Sequence, residues 1–134
     1  MTDMPLSTEL VLLGWSVVLL LVHVALQGQL GTLDRGAGWN AGPRDGAPKP
    51  LGPYAGRAER ASANFRETYP AFVALALGLA VTGRTGELGE WGALLWFAAR
   101  IAYIPLYLLG VPVVRSLVWG LSLAGLLMML LRFL

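Results

Sequence analysis

The sequence predicts an all-α integral membrane protein that folds as a four-helix up-and-down bundle. Hydrophobic residues make up 56% of the 134 residues and charged residues only 13%, whereas a soluble domain has about 45–50% and about 25%. The mean hydropathy of +0.63 agrees with this prediction. At about 20 residues per spanning helix, four spans fit within a single domain that covers residues 1–134. This composition excludes an ordinary soluble domain and a disordered chain.

The composition also excludes several kinds of active site. Cysteine is absent from the sequence, so disulfides, thiolate metal ligands and cysteine nucleophiles are ruled out. His23 is the single histidine and has no carboxylate cluster beside it in the sequence, so we expect no metal site. The net charge of +2 belongs to cations scattered along a membrane chain. Those cations set topology, and we expect no nucleic-acid partner.

The first predicted span covers residues 9–30 and contains the apolar run Leu10–Leu26. Ser7 offers a helix start just before it. The preceding segment Met1–Glu9 has no Lys or Arg, whereas a secretory signal needs a basic leading region. We therefore interpret this helix as a retained span.

A predicted loop at 31–56 follows the first span. It holds seven glycines and four of the eight prolines. Irregular backbone cannot face lipid, so this segment must lie outside the hydrocarbon. Loops of this length are usually functional or disordered.

Three further spans are predicted at 57–82, 90–109 and 113–133. The second begins with three polar turns, which must either be buried against other helices or protrude from the membrane. The break at Gly110–Pro112 separates the last two spans. Both later connections are short, so neighbouring helices are antiparallel.

The distribution of Lys and Arg predicts the orientation. Arg84 and Arg132 are the cations expected at the end of the bundle that carries both termini. The opposite side carries seven: Arg35, Arg44, Lys49, Arg57, Arg60, Arg66 and Arg115. We therefore expect the first loop to be cytoplasmic, with both termini on the other side, in a bacterial inner membrane.

Polar residues on the second helix form the first candidate site. Arg60, Asn64 and Glu67 follow one another at helical spacing and share one face. Arg57 extends that face, and Glu67 lies where hydrocarbon is predicted to begin. A membrane-embedded ionisable group indicates function by default. The alternative is a solvated helix end with surface ion pairs.

Arg100, on the third helix, is the second candidate, because it lies about 15 Å from either end of that helix. Tyr103 and Tyr107 share its face. A lone guanidinium at such depth needs a carboxylate or an anionic ligand. We predict a pair between Glu67 and Arg100, which is either part of a binding site or purely structural.

Arg115 and Ser116 form the third candidate, at the start of the fourth helix. A helix N-terminus with a guanidinium and a hydroxyl favours an anion or a thiolate. The alternative is an interfacial arginine that only sets topology. Together the three clusters predict a cationic cavity on the cytoplasmic half, suited to a small anionic or zwitterionic ligand. We expect His23 to be a packing or interfacial residue, and Trp119 to be one of five interfacial tryptophans without a functional role.

The segment Arg60–Pro70 (RASANFRETYP) resembles the R-A-x-x-N-x-x-E-x-x-P signature of the MAPEG family, the membrane-associated proteins in eicosanoid and glutathione metabolism. The order and spacing of the Arg100, Tyr103, Tyr107 and Arg115-Ser116 positions are also similar. The resemblance implies a homotrimer that binds glutathione between subunits. Binding would fall to Arg60, Asn64, Glu67, Arg100, Tyr103 and Tyr107, and thiol activation to Arg115 and Ser116.

The implied function is that of a glutathione-dependent transferase or peroxidase, which acts on lipophilic electrophiles or hydroperoxides arriving from membrane lipid. We favour an enzyme over the alternative, a non-catalytic protein that binds a lipid or a thiol in the same cavity, as one member of the family does. A transporter is disfavoured because the outer halves of the predicted helices are nearly all apolar.

Overall fold

The computed structural model describes residues 5–134 as a bundle of α-helices without strands, which confirms the predicted fold class. The first four residues of the predicted domain lie outside the described part. The helices are α1 (Thr8–Arg35), α2 (Ala37–Ala41), α3 (Pro53–Val81), α4 (Glu87–Leu108) and α5 (Pro112–Phe133). Three of them, α1, α4 and α5, are long and apolar enough to cross a membrane.

The more polar helix α3 contacts α1, α4 and α5, and α4 likewise contacts the other three long helices. Its first turns bury small residues, among them Ala55, Ala58 and Ala61, while Glu59 and Arg60 on the other face stay exposed. The polar turns are therefore amphipathic, with one face packed in the bundle and the other open in the single chain. Phe72 of α3 stacks on Trp96 of α4 with ring centroids 3.8 Å apart, in the middle of the core.

Helices α4 and α5 approach each other through glycines. A Cβ atom on Gly92 would lie 2.6 Å from the carbonyl oxygen of Gly125, and one on Gly125 would lie equally close to the carbonyl of Gly92. Only hydrogen fits between two backbones at this separation. The pair is therefore a direct backbone contact between α4 and α5.

The segment between α1 and α3 contains more helix than the loop predicted at 31–56. Helix α1 continues to Arg35 and ends at Gly36, whose φ of 91° suits glycine. The short helix α2 follows, and α3 begins at Pro53 rather than near residue 57. Proline favours the first turn of a helix, which accounts for the earlier start. The limits of the membrane spans themselves remain predictions.

The end of the bundle away from this segment is held by polar contacts. Glu9 is buried, and its Oε1 accepts a 2.7 Å hydrogen bond from the backbone N–H of Gly86, the residue before α4. Thr8 donates to Glu90 at 2.9 Å, and Arg132 pairs with Glu87 at 3.2 Å. These contacts join the start of α1 to the start of α4, and the start of α4 to the end of α5.

Candidate functional site

A cavity of about 450 Å³ opens between α3, α4 and α5 at the end of the bundle nearest α2. It is lined by Arg60, Ala63, Asn64, Glu67, Tyr103, Tyr107, Arg115, Ser116 and Trp119. The lining of the cavity thus includes every predicted site residue except Arg100, which lies behind the lining and is bonded to Asn64. Helical spacing explains the grouping, since residues three, four and seven apart share one face of a helix.

The α3 side of the cavity carries both signs of charge. Arg60 and Glu67 are exposed, and Asn64 between them is half-buried. Within residues 5–134 the ion pair found is that of Arg132 with Glu87, so neither Arg60 nor Glu67 is neutralised by a neighbour. Both groups are available to a ligand that carries the opposite charges.

Arg100 is completely buried behind this wall. Its Nη1 donates to Oδ1 of Asn64 at 2.9 Å, while its Nε and Nη2 have no hydrogen-bond partner in the described chain. The predicted pair with Glu67 is wrong. The guanidinium points into the bundle, toward the buried ring of Phe65 at 5.3 Å, whereas Glu67 lies on the exposed face of α3.

Aromatic rings connect Arg100 to Arg115. The Arg100 guanidinium lies 4.5 Å from the ring centre of Tyr103, which meets Tyr107 edge-on at 5.4 Å. The Arg115 guanidinium in turn lies 4.7 Å from the ring centre of Tyr107. Cation–π contacts stabilise a guanidinium by about 0.5–2 kcal/mol without cancelling its charge. Both cations are therefore held in place while the cavity keeps a positive potential.

The start of α5 contributes side chains rather than its terminal backbone amides. Arg115 and Ser116 line the cavity, but Pro112, Val113 and Val114 do not. The cavity wall begins one turn into the helix, and the use of the helix N-terminus stays a prediction. The hydroxyl of Ser116 donates to the carbonyl of Pro112 at 3.3 Å and keeps its oxygen lone pairs free to accept.

Sequence reasoning did not place Trp119 at the cavity. It lines the cavity, and its buried indole N–H has no protein partner within residues 5–134. The signal was present, since Trp119 follows Arg115 and Ser116 by four and three positions and shares their helix face. Arg57 shows the opposite error. Instead of extending the site, it donates to the carbonyl of Leu108 at 3.1 Å and caps the end of α4.

His23 packs inside the bundle, as predicted for a packing residue. It is 1% exposed, and its ring lies 4.8 Å from that of Phe65. Across residues 5–134 no group of His, Asp and Glu side chains is arranged to hold a metal ion.

An apolar groove of about 390 Å³ lies between α3 and α5, further toward the opposite end of the bundle. Its walls include Ala71 and Ala74 of α3, and Leu123 and Leu127 of α5. Ala71 is one turn beyond Glu67, and Leu123 one turn beyond Trp119. The charged cavity therefore lies next to this apolar groove, on the same side of the bundle.

Comparison with known proteins identifies the family of the chain. No curated protein and no solved structure gives a significant match to the chain. The sequence model of the MAPEG family, however, matches residues 12–134, a range that contains the cavity, the aromatic contacts and the groove. With four long helices, three of them fit to span a bilayer, and nearly its whole length matched, the chain belongs to the MAPEG family of integral membrane proteins.

Proposed function

We propose that the protein is a glutathione-dependent transferase or peroxidase that acts on lipophilic electrophiles or hydroperoxides. The observation that carries the proposal is the pair of guanidinium groups, Arg100 and Arg115, joined through Tyr103 and Tyr107. Neither guanidinium is paired with a carboxylate in the part of the chain that the structure describes. Arginines held in this way favour an anion at the cavity they flank.

The charge pattern of the cavity supports glutathione as the co-substrate. Glutathione carries two carboxylates, an ammonium group and a thiol. The cavity offers a cation at Arg60 and an anion at Glu67, neither of which forms an ion pair within residues 5–134. Asn64 already accepts from Arg100, and its amide N–H groups remain to donate to the peptide. A cavity of about 450 Å³ is within the usual range for a small-molecule site.

Arg115 and Ser116 are the proposed activating residues. A thiol is mostly protonated at neutral pH, and a nearby guanidinium favours the nucleophilic thiolate. The thiolate attacks an electrophilic carbon, a C–S bond forms, and the leaving group departs with its electron pair. With a hydroperoxide, sulfur attacks the outer oxygen, the O–O bond breaks, and the alkoxide takes up a proton. A second glutathione then converts the sulfenic acid to disulfide and water.

The groove between α3 and α5 supports a substrate that arrives from the membrane. Its walls are alanine and leucine side chains, with Leu127 55% exposed in the single chain. An apolar molecule dissolved in the bilayer loses little by entering such a groove. It would then reach the charged cavity one helical turn away.

The open face of α3 supports a homotrimer with the ligand between subunits. Arg60 and Glu67 are exposed on this face, and Ala71 and Ala74 continue it through the helix. A charged side chain in a membrane faces the interior of an assembly rather than lipid. We therefore propose that neighbouring copies cover this face. We also propose that α2 and the rest of the 31–56 segment face the cytoplasm from a bacterial inner membrane.

Conjugation of glutathione to a chlorinated nitrobenzene by the purified protein tests the proposal. We expect Arg115→Ala to lower kcat/KM by about 100-fold, the usual effect of losing one electrostatic contact to a developing charge. The matched control is Arg66→Ala, since Arg66 is an exposed arginine of α3 that does not line the cavity. Equal activity of Arg115→Ala and the unmodified protein would contradict the assignment.

The adjoining apolar groove also favours a second candidate, a non-catalytic protein that holds a lipid or thiol in the same cavity. The result of one experiment distinguishes this candidate from the enzyme. Glutathione and its S-alkylated analogue would both raise the melting temperature, while no conjugate forms with any electrophile.

A further inference from the structure

A second cavity, of about 360 Å³, lies at the α2 end of the bundle and is separate from the glutathione cavity. It is built from the end of α1, from α2 and the segment after it, and from the start of α3. Arg35, Trp39, Asn40, Arg44 and Glu59 supply its polar wall. None of these residues lines the first cavity.

The two arginines of this cavity are held by neutral groups. Nε of Arg35 donates to the carbonyl of Lys49 at 2.9 Å. Arg44 donates to the backbone carbonyl of Asn40 at 3.1 and 2.9 Å, and to its side-chain oxygen at 2.6 Å. These contacts fix the guanidinium groups without cancelling their charge, and they leave both Nη groups of Arg35 free to donate.

Glu59 gives the same cavity an anion. It is exposed, and it forms no ion pair with Arg35 or Arg44 in the described chain. Two cations and one anion thus face one volume without neutralising each other. A ligand that matches this pattern carries a phosphate-like group and, a few bonds away, a cation able to donate hydrogen bonds.

A furrow leads from this cavity along α1, and its wall is mainly apolar, with the polar residues Gln29, Thr32 and Asn40 among its lining. The furrow shares Val24, Gly28 and Asn40 with the charged cavity, and its far wall includes Leu33, which is 80% exposed. A Cβ on Gly28 would meet nothing within 4 Å, so the furrow has room there. Arg35 lies about 7.5 Å beyond residue 30, the predicted end of the span, at headgroup depth. Trp39, half-buried in the wall, is typical of that interface.

We propose that this cavity binds a phospholipid whose headgroup carries a primary ammonium, as in phosphatidylethanolamine. The phosphate lies between Arg35, whose two Nη groups can donate parallel hydrogen bonds to phosphate oxygens, and Arg44, which keeps Nη1 as a donor. The ammonium lies on Glu59, and one acyl chain follows the furrow along α1. Phosphatidylglycerol has no cation for Glu59, and the trimethylammonium of phosphatidylcholine has no N–H to donate.

Native mass spectrometry of the full-length protein in detergent tests the site. The protein is mixed with phosphatidylethanolamine, phosphatidylglycerol and phosphatidylcholine that carry identical acyl chains. We expect phosphatidylethanolamine to bind about tenfold more tightly than either competitor. Glu59→Gln should abolish this preference over phosphatidylglycerol. Asp45→Asn removes an acid between α2 and α3 that does not line the cavity, and it should leave the preference intact.

The double variant Arg35→Gln/Arg44→Gln should weaken binding of both phosphatidylethanolamine and phosphatidylglycerol, since both present a phosphate. Circular dichroism checks its fold, and if it misfolds the Glu59→Gln comparison still decides. Equal or tighter binding of phosphatidylglycerol by the unmodified protein would overturn the proposal. So would a double variant that keeps its lipid but loses its oligomeric state, because the surface would then be a contact between copies.

Discussion

The two ends of this bundle treat their charged residues in opposite ways. At the end that carries Glu9, the acid accepts from the backbone of Gly86, and Arg132 pairs with Glu87. At the other end, Arg100 and Arg115 lie against tyrosine rings, and neither has a carboxylate partner within residues 5–134. The first set of contacts stabilises the fold, whereas the two guanidinium groups of the second set keep a positive potential at the cavity beside them. The difference separates residues that hold the protein together from residues that we propose to bind and react.

The largest effect should come from Arg100→Met, which removes the buried cation but keeps its volume. The variant removes a buried charge whose Nε and Nη2 have no partner in the described chain, and it leaves Oδ1 of Asn64 without a donor. These two effects oppose each other, so we expect little change in melting temperature. Glutathione affinity should fall by about 10-fold, because the cavity loses the positive potential behind it and Asn64 loses the donor that orients its amide. Titration calorimetry and thermal denaturation measure the two quantities.

Arg100→Lys is the control for that variant, since it keeps the charge and should keep part of the affinity. A stable Arg100→Met protein that binds glutathione as the unmodified protein does would remove Arg100 from the site. A marked drop in melting temperature would instead make it a structural residue like those at the opposite end.

Glu9→Leu should lower the stability of the protein rather than its affinity for glutathione. It leaves the N–H of Gly86 without its partner, and the free energy of unfolding should fall by about 1–3 kcal/mol. Conjugation activity per folded molecule should not change, because Glu9 lies at the far end from the cavity. Glu9→Gln keeps a carbonyl acceptor and should lose less. Denaturant titration in detergent gives the stabilities, and equal losses in the two variants would show that the hydrogen bond is not the source.

Arg57→Gln should give the smallest effect. Arg57 belongs to the cavity end by position but caps α4 through the carbonyl of Leu108. We expect a loss of about 0.5–1.5 kcal/mol in stability with little change in glutathione affinity. Thermal denaturation with and without glutathione measures both. A change in affinity larger than the change in stability would return Arg57 to the binding site.

Helical spacing made most of the cavity predictable from the sequence. Asn64 and Glu67 had to share a face of α3, and Tyr103 and Tyr107 a face of α4, whatever the packing between helices. The rotation of α3 against α4 was not predictable, because both Asn64 and Glu67 lie close enough to reach a long arginine. That rotation directs Arg100 to Asn64 rather than to Glu67.

Contacts between residues distant in the chain could not be predicted from the sequence either. Glu9 and Gly86 are separated by 77 positions, and nothing in either local sequence marks the other as a partner. Helix α2 was missed for a different reason. Glycine and proline dominate the segment around it, and its five residues are too few to show a periodic pattern.

The glycine contact between α4 and α5 has a consequence for the cavity. With the backbones of Gly92 and Gly125 in direct apposition, these two helices cannot approach each other more closely at this point. A side chain at either position would force the helices apart, and it would carry Arg100 and Tyr107 of α4 away from Arg115 of α5. The absence of a side chain at these two glycines therefore sets the spacing between the proposed cationic groups.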